Sequence, residues 1–385
     1  MKTLVGFILG KNPELSKAEI LSYLSGRGAM AEIEAFEKDF LVLGINGDFS
    51  VKIEDLGGSI KVFGVLDVMS DIELDKIEFR KYFDLSVDII TFGLSFYGVG
   101  NWQEEYQKIS KHIKTLLRSE GIKTGSLHLP ENRSYLEHLE VINKKLIKNG
   151  EIIFCFSKNK YYIGKTLQVH NPLDFQKRDV GRPEQRAIFS IPPRLAKIMI
   201  NLLEIKEGTL LDPFCGIGTI LQEAALMGFD IKGVDINNKC VEAAKKNIIW
   251  LEKEFGTNVQ ELDKKIVHGD SRKLSNIFTK ESIDGIVTEP YLGPPIKGTP
   301  TITEARVILS EIEDLYIKTL KEANIILRGG SRVCIVSPRI KTDRSDLSLN
   351  MKDISRKAGF DLIKQFTDSE ERHKIIREIN ILEKV

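Results

Sequence analysis

The 385-residue chain predicts an α/β protein whose C-terminal half is a doubly wound, Rossmann-like sheet preceded by smaller α+β domains. Three observations carry that expectation. From Pro192 onward short apolar strands alternate strictly with amphipathic helices, which implies parallel strands joined by crossovers. The first of these strands runs into Asp212-Pro213-Phe214-Cys215-Gly216-Ile217-Gly218-Thr219, a glycine turn that opens a helix. Three later strands each end on an acidic residue, at Asp235, Asp270 and Glu289.

The length favours two or three domains. Hydrophobic residues make up 42% and charged residues 29%, and the formal net charge is +1. A polyanionic partner must therefore be held by a local basic face rather than by a global field. No run approaches the apolar length of a membrane span, and Met1–Gly10 reads as a first strand rather than a signal peptide. Cys155, Cys215, Cys240 and Cys334 are scattered, which argues against zinc, any other metal centre and a disulfide framework. That usage fits a reducing cytoplasm. Cys215 reads as a small side chain at a crowded turn rather than as a nucleophile.

Residues 1–75 predict a small ferredoxin-like domain. Strands are expected at Thr3–Leu9, Phe40–Leu43 and Val62–Val68, with a helix at Ser16–Ser25 opened by a Ser16/Glu19 capping box. Residues 76–170 form a second block, with strands at Asp88–Phe96, Lys123–Leu129, Glu151–Phe156 and Tyr161–Gln168. Helices are expected at Gln103–Ser119 and Leu136–Lys148. On the first of these, Lys108, Lys111, Lys114 and Arg118 fall three or four apart and share one face, a candidate nucleic-acid contact. Lys144, Lys145, Lys148 and Arg133 add charge to the same block.

Residues 171–190 read as a polar connector interrupted at Gly181 and Pro183. Arg178, Arg182 and Arg186 either converge there on substrate phosphate or pair with Asp179 and Glu184. The catalytic domain, 191–385, then carries strands at 209–213, 230–235, 264–269, 283–288, 331–336, 361–366 and 378–383. Helices are expected at 219–228, 238–254, 304–326 and 347–358, and a further one from Pro192 to Leu203. The last two strands share only a short polar link and predict an antiparallel hairpin at a sheet edge.

The strand-end residues point to an adenosine-containing cofactor. Glycines let the backbone approach the ligand, and the helix start behind them presents free N–H groups. Asp235, about twenty residues after the turn, suits ribose hydroxyls, and Asp270 suits an adenine amine. Asp212, Phe214, Gly216, Gly218, Thr219, Ile236 and Ser271 complete the expected cofactor contacts. A nicotinamide and a sulfonium cofactor are not separated by these residues alone.

Residues 178–340 resemble the amino-methyltransferases that modify exocyclic nitrogens of nucleic-acid bases, and more narrowly the tRNA guanine-N2 methyltransferases that carry an N-terminal THUMP domain. The resemblance rests on Arg178-Asp179-x-x-Arg182-Pro183, Pro193-x-Leu195-Ala196, Met199-Ile200-Asn201-Leu202 and above all Asp212–Thr219. It implies S-adenosylmethionine as cofactor and tRNA as partner, with methylation at guanine N2, typically at position 10. It also implies a THUMP-like RNA grip over residues 76–170, and it leaves a small activating protein subunit open.

The chain departs from that family in its catalytic strip. The family pattern is Asp/Asn-Pro-Pro-aromatic, whereas this chain has Glu289-Pro290-Tyr291-Leu292. Such a strip orients a poorly nucleophilic conjugated amine through a side-chain oxygen and a backbone carbonyl, beside a ring that stacks on the flipped base. Glu289, the Pro290 carbonyl and Tyr291 are the candidates for those roles. A glutamate one methylene longer leaves two outcomes open: an active enzyme with altered geometry, or a tRNA-binding paralogue that transfers no methyl. Another tRNA or ribosomal RNA site also stays open. No cysteine lies in 287–300, which argues against carbon-5 methylation of pyrimidines.

Overall fold

The computed structural model describes residues 2–47, 50–185, 191–296, 298–368 and 374–385. The chain forms two compact units, Met1–Lys17 with Gly28–Asp174, and Ala18–Arg27 with Phe175–Val385.

The first unit contains β1 (Lys2–Leu9), the start of α1 (Pro13–Ser25), β2 (Ala31–Phe36), β3 (Phe40–Asn46), β4 (Ser59–Met69), β5 (Ile89–Tyr97), α2 (Trp102–Ser119) and β6 (Lys123–Ser126). Short α3 (His138–Asn143) and α4 (Leu146–Asn149) precede β7 (Glu151–Ser157) and β8 (Lys160–Val169). All eight strands belong to one sheet, in the order β2-β3-β1-β4-β8-β7-β5-β6. The expected division at residue 75 is therefore corrected. β4 and β8 pair antiparallel from Lys61↔Val169 to Met69↔Tyr161, so the backbone ladder runs straight across it. A strand with an unpaired edge recruits another, and here the partner is supplied by the same chain.

At that junction a polar network is buried between four strands. The Glu151 carboxylate takes the Lys61 ammonium and the hydroxyls of Ser95 and Thr166, each hydroxyl at 2.6 Å. Lys61 also donates to the Leu136 carbonyl at 2.7 Å. Two buried charges are tolerable here because each finds an opposite charge and further hydrogen bonds.

Two local expectations also change. α1 begins at Pro13, not Ser16, because Asn12 Oδ1 caps Leu15 N at 3.2 Å and proline suits the first helical position. Ser16 consequently lies inside the helix, its hydroxyl donating to the Asn12 carbonyl at 2.8 Å. The expected helix over Leu136–Lys148 divides into α3 and α4 at Lys145, whose φ of 53° cannot continue a right-handed helix.

The second unit contains α5 (Pro172–Val180), α6 (Pro193–Asn201), β9 (Thr209–Asp212), α7 (Thr219–Leu226), β10 (Asp230–Asp235), α8 (Asn238–Phe255), α9 (Leu262–Lys265) and β11 (Ile266–His268). β12 (Ile283–Thr288), α10 (Ile302–Ile326), β13 (Leu327–Ile340), β14 (Leu347–Ser348), α11 (Met351–Lys357), β15 (Phe360–Asp368) and β16 (Ile375–Lys384) complete it. The sheet order is β11-β10-β9-β12-β13-β16-β15, with β9 to β13 parallel and the β15–β16 hairpin antiparallel at one edge. Chain order reverses between β9 and β12, so the crevice above their carboxyl ends is the place where such sheets bind ligands. Within the connector at 171–190 the first half is helix α5, which stops at Val180, one residue before Gly181, where the interruption is expected.

Candidate active site

Four strand ends build the site. β9 delivers Asp212, which is buried and accepts the Phe214 N–H at 3.1 Å and the Thr288 hydroxyl at 2.7 Å. Burial pushes its carboxyl up to about 7, and the nearby charges of Asp235 and Glu289 add to the effect. The glycine turn follows. Gly216 has φ +52° and Gly218 φ +87°, conformations that L side chains avoid. A Cβ at Gly216 would meet nothing within 4 Å, so that position opens to solvent, whereas one at Gly218 would lie 3.1 Å from Ala244 Cβ. Thus Gly216 leaves room for a ligand and Gly218 permits packing against α8.

β10 brings Asp235 beneath the turn. Its two oxygens accept the Gly216 and Asn237 N–H groups, each at 2.8 Å, which holds the turn open over the strand end. Ile236 beside it is exposed, an apolar platform of the kind an adenine face covers. Beyond β11, Asp270 caps the Arg272 N–H at 2.9 Å and pairs with its guanidinium at 2.7 Å, which holds its carboxyl below the usual carboxylate range. Ser271 is corrected as a side-chain contact: it is buried, and its hydroxyl meets Thr319 Oγ1 on α10 at 3.0 Å.

β12 ends at Thr288 and hands Glu289, Pro290 and Tyr291 to the same edge. Pro290 is buried and Tyr291 is 53% exposed, its ring available to a stacking partner. Glu289 is largely buried and pairs with Arg377 on β16, Nε to Oε1 at 2.5 Å. Sequence reasoning missed both Thr288 and Arg377. Thr288, a polar residue closing a buried apolar strand, carried a signal; Arg377, brought in by hairpin register, carried none.

The two connector arginines are corrected. Arg178 is 5% exposed, its Nε donating to Glu223 Oε1 at 2.6 Å, with its guanidinium 4.4 Å from the Phe175 ring centroid. Lys197 joins Glu223 from the other side at 3.3 Å. Arg182 is 3% exposed and donates to Thr219 Oγ1 at 2.6 Å, behind the cofactor turn. Both side chains are therefore turned into the protein, where Asp179 and Glu223 both act on the charge of Arg182; Glu184 pairs with Lys246 at 2.8 Å. Arg186 lies outside the described residues. Cys215 is buried and its thiol is pushed well up by desolvation, so it is not a poised nucleophile.

The basic face of α2 sits in the first unit. Tyr106, Ile109, Ile113 and Leu117 are buried, which turns Lys108, Lys111, Lys114 and Arg118 outward around a depression of about 560 Å³. Lys108 is already paired with Glu104 at 2.8 Å; the other three form no ion pair among the described residues.

The chain is similar to known methyltransferases. Residues 183–357 match the family described as RMKL-like, methyltransferase domain. Residues 106–246 match the DNA methylase family; the two matches share 183–246, which holds the glycine turn and Asp235. The tRNA (guanine(10)-N2)-dimethyltransferase of Pyrococcus abyssi is 25% identical over 372 residues, covering 93% of each chain. The probable tRNA (guanine(10)-N2)-dimethyltransferase of Methanothermococcus thermolithotrophicus is 34% identical over 141 residues, 36% of this chain and 80% of that relative. The chain belongs to the tRNA (guanine(10)-N2)-methyltransferase family. The solved structure of TrmN from Thermus thermophilus covers 100% of both chains with a TM-score of 0.51 at 17% identity, a likeness of fold. The family's cofactor fits the residues present: an open glycine turn, an exposed apolar platform and a cluster of acids suited to a cation.

Proposed function

We propose that the second unit methylates the exocyclic N2 of guanine at position 10 of tRNA, the site in the names of its relatives, with S-adenosylmethionine as donor. The observation that carries the reading is the convergence of Asp212, Asp235, Asp270 and Glu289 on one sheet edge around the Gly216–Gly218 turn. Asp235 takes the ribose hydroxyls, Ile236 and Asp270 the adenine, and the 212–219 turn the methionine portion. The cofactor supplies an electrophilic methyl: as the N–C bond forms, the C–S pair returns to sulfur, S-adenosylhomocysteine leaves and one N–H proton is lost to water.

The chain's own task is to present the amine. Glu289 and the Pro290 carbonyl accept its two N–H groups, which turns the nitrogen lone pair out of conjugation and towards the methyl. Tyr291, exposed at the mouth, stacks on the flipped base. Buried Asp212 and Thr288 fix the strand ends from which these groups project. In the first unit, the THUMP-like block supplies RNA affinity through Lys111, Lys114 and Arg118, whose charges meet phosphates. No described helix is long and apolar enough to cross a membrane, and a cytoplasmic site of action suits a tRNA substrate.

The test is nucleoside mass spectrometry of an unmodified tRNA after incubation with the purified chain and methyl-labelled cofactor. Label in N2-methylated guanosine supports the reading, and label in any other nucleoside refutes it. Activity of the chain alone shows that no activating partner is required.

A further inference from the structure

Glu289 does not stand alone at its strand end. Arg377 reaches it across 88 residues of sequence, and in both side chains the exposure is low, 17% for the arginine and 9% for the glutamate. Arg377 lies on β16, separated from β12 by β13, and its register partner is Pro338. The Glu289 carboxylate forms no other hydrogen bond among the described residues, so Oε1 is pinned and Oε2 is left. Asp212 from β9 and Tyr316 from α10 both feel its charge, and Asp235 adds another carboxylate near Asp212.

A glutamate has one more rotatable bond than an aspartate, and an untethered carboxylate among other carboxylates has every reason to swing away. A charge-assisted hydrogen bond to a largely buried guanidinium removes that freedom. We propose that Arg377 is a positioning residue for methyl transfer, holding one oxygen of Glu289 so that the other is presented to the incoming base amine. This rests on the functional reading above. It explains how a longer side chain serves at a strip whose family pattern calls for a shorter one.

The test compares the full-length wild type with Arg377→Gln, Arg377→Lys, Glu289→Gln and the double variant Arg377→Gln/Glu289→Gln, on an unmodified tRNA transcript. Loss of a charge-assisted hydrogen bond predicts a fall in kcat of about 10- to 100-fold for Arg377→Gln. KM for tRNA and cofactor affinity stay close to wild type. Arg377→Lys recovers part of kcat, and the double variant falls no further than Glu289→Gln alone. An unchanged kcat, a change confined to KM, or additive losses in the double variant overturns the proposal. Should Arg377→Gln unfold on heating much earlier than wild type, the same kcat criterion is read from Arg377→Lys. A wild type that transfers no methyl to guanine refutes the functional reading itself, a result distinguishable from an active wild type indifferent to Arg377.

Discussion

Asp212 Oδ1 accepts the Thr288 hydroxyl at 2.7 Å, tying the end of β9 to the end of β12 at the point where the sheet changes direction. Both residues are buried, and the chain leaves them as the glycine turn on one side and the Glu289 strip on the other. The contact extends the β9–β12 pairing, Leu210↔Gly285 and Leu211↔Ile286, to the root of the turn and of the strip.

The burial of Asp212 sets a pH dependence that the Thr288 and Phe214 hydrogen bonds only partly oppose. The Asp212 carboxyl is raised from 3.8 to about 7, chiefly by desolvation. Between those values the folded chain holds a proton that the unfolded chain has lost, so its contribution to stability falls as pH rises through this window. Asp212→Asn removes the effect. The difference in melting temperature between wild type and Asp212→Asn is expected to shift in favour of the variant from pH 4 to pH 7; parallel curves would contradict the assignment.

In the proposed function the same group lies beside a cationic cofactor. A sulfonium favours the ionised form of Asp212, so cofactor affinity is expected to rise with pH up to and just beyond about 7. Calorimetry in two buffers of different ionisation enthalpy should show proton release on binding near neutral pH, and no release in Asp212→Asn.

Tyr291 separates shape from chemistry. Removing a ring on which a base stacks costs about 1–3 kcal/mol, so Tyr291→Ala should lose about 5- to 150-fold in kcat/KM for tRNA. Tyr291→Phe keeps the ring and should remain near wild type. Equal losses in both would assign the role to the hydroxyl instead.

On α2, Lys111→Glu and Lys114→Glu address the RNA grip. Each lost phosphate contact lowers the slope of log Kd against log salt by about 1, so the double variant should bind tRNA more weakly and with a flatter salt dependence. Glu223→Ala provides the contrast. It strands Arg178 and Lys197 without their shared buried carboxylate and should destabilise the second unit by about 3–5 kcal/mol, leaving the salt slope of the folded protein unchanged.

The second unit was largely legible from sequence. Strand and helix periods placed β9, β10, β12 and β16 within a few residues, and the acidic strand ends marked the crevice. What escaped were relationships that depend on pairing between distant strands. β4 with β8 merged two expected domains, and the register of β16 brought Arg377 to Glu289. Neither register leaves a trace in local pattern. Arg178 and Arg182 misled for a related reason: a basic residue in a polar segment reads as exposed, and only the carboxylate of Glu223, buried on α7, and the Thr219 hydroxyl show why both point inward. Ser271 repeats the lesson, its partner Thr319 lying 48 residues away on α10.

The central claim, transfer to the exocyclic amine of a guanine in tRNA, is tested most directly by atomic substitution in the substrate. A tRNA with inosine at position 10 lacks only the 2-amine that Glu289 and Pro290 are expected to hold. The account predicts single methyl-group incorporation or more into the guanosine tRNA and none into its inosine counterpart. Equal incorporation into both would contradict it.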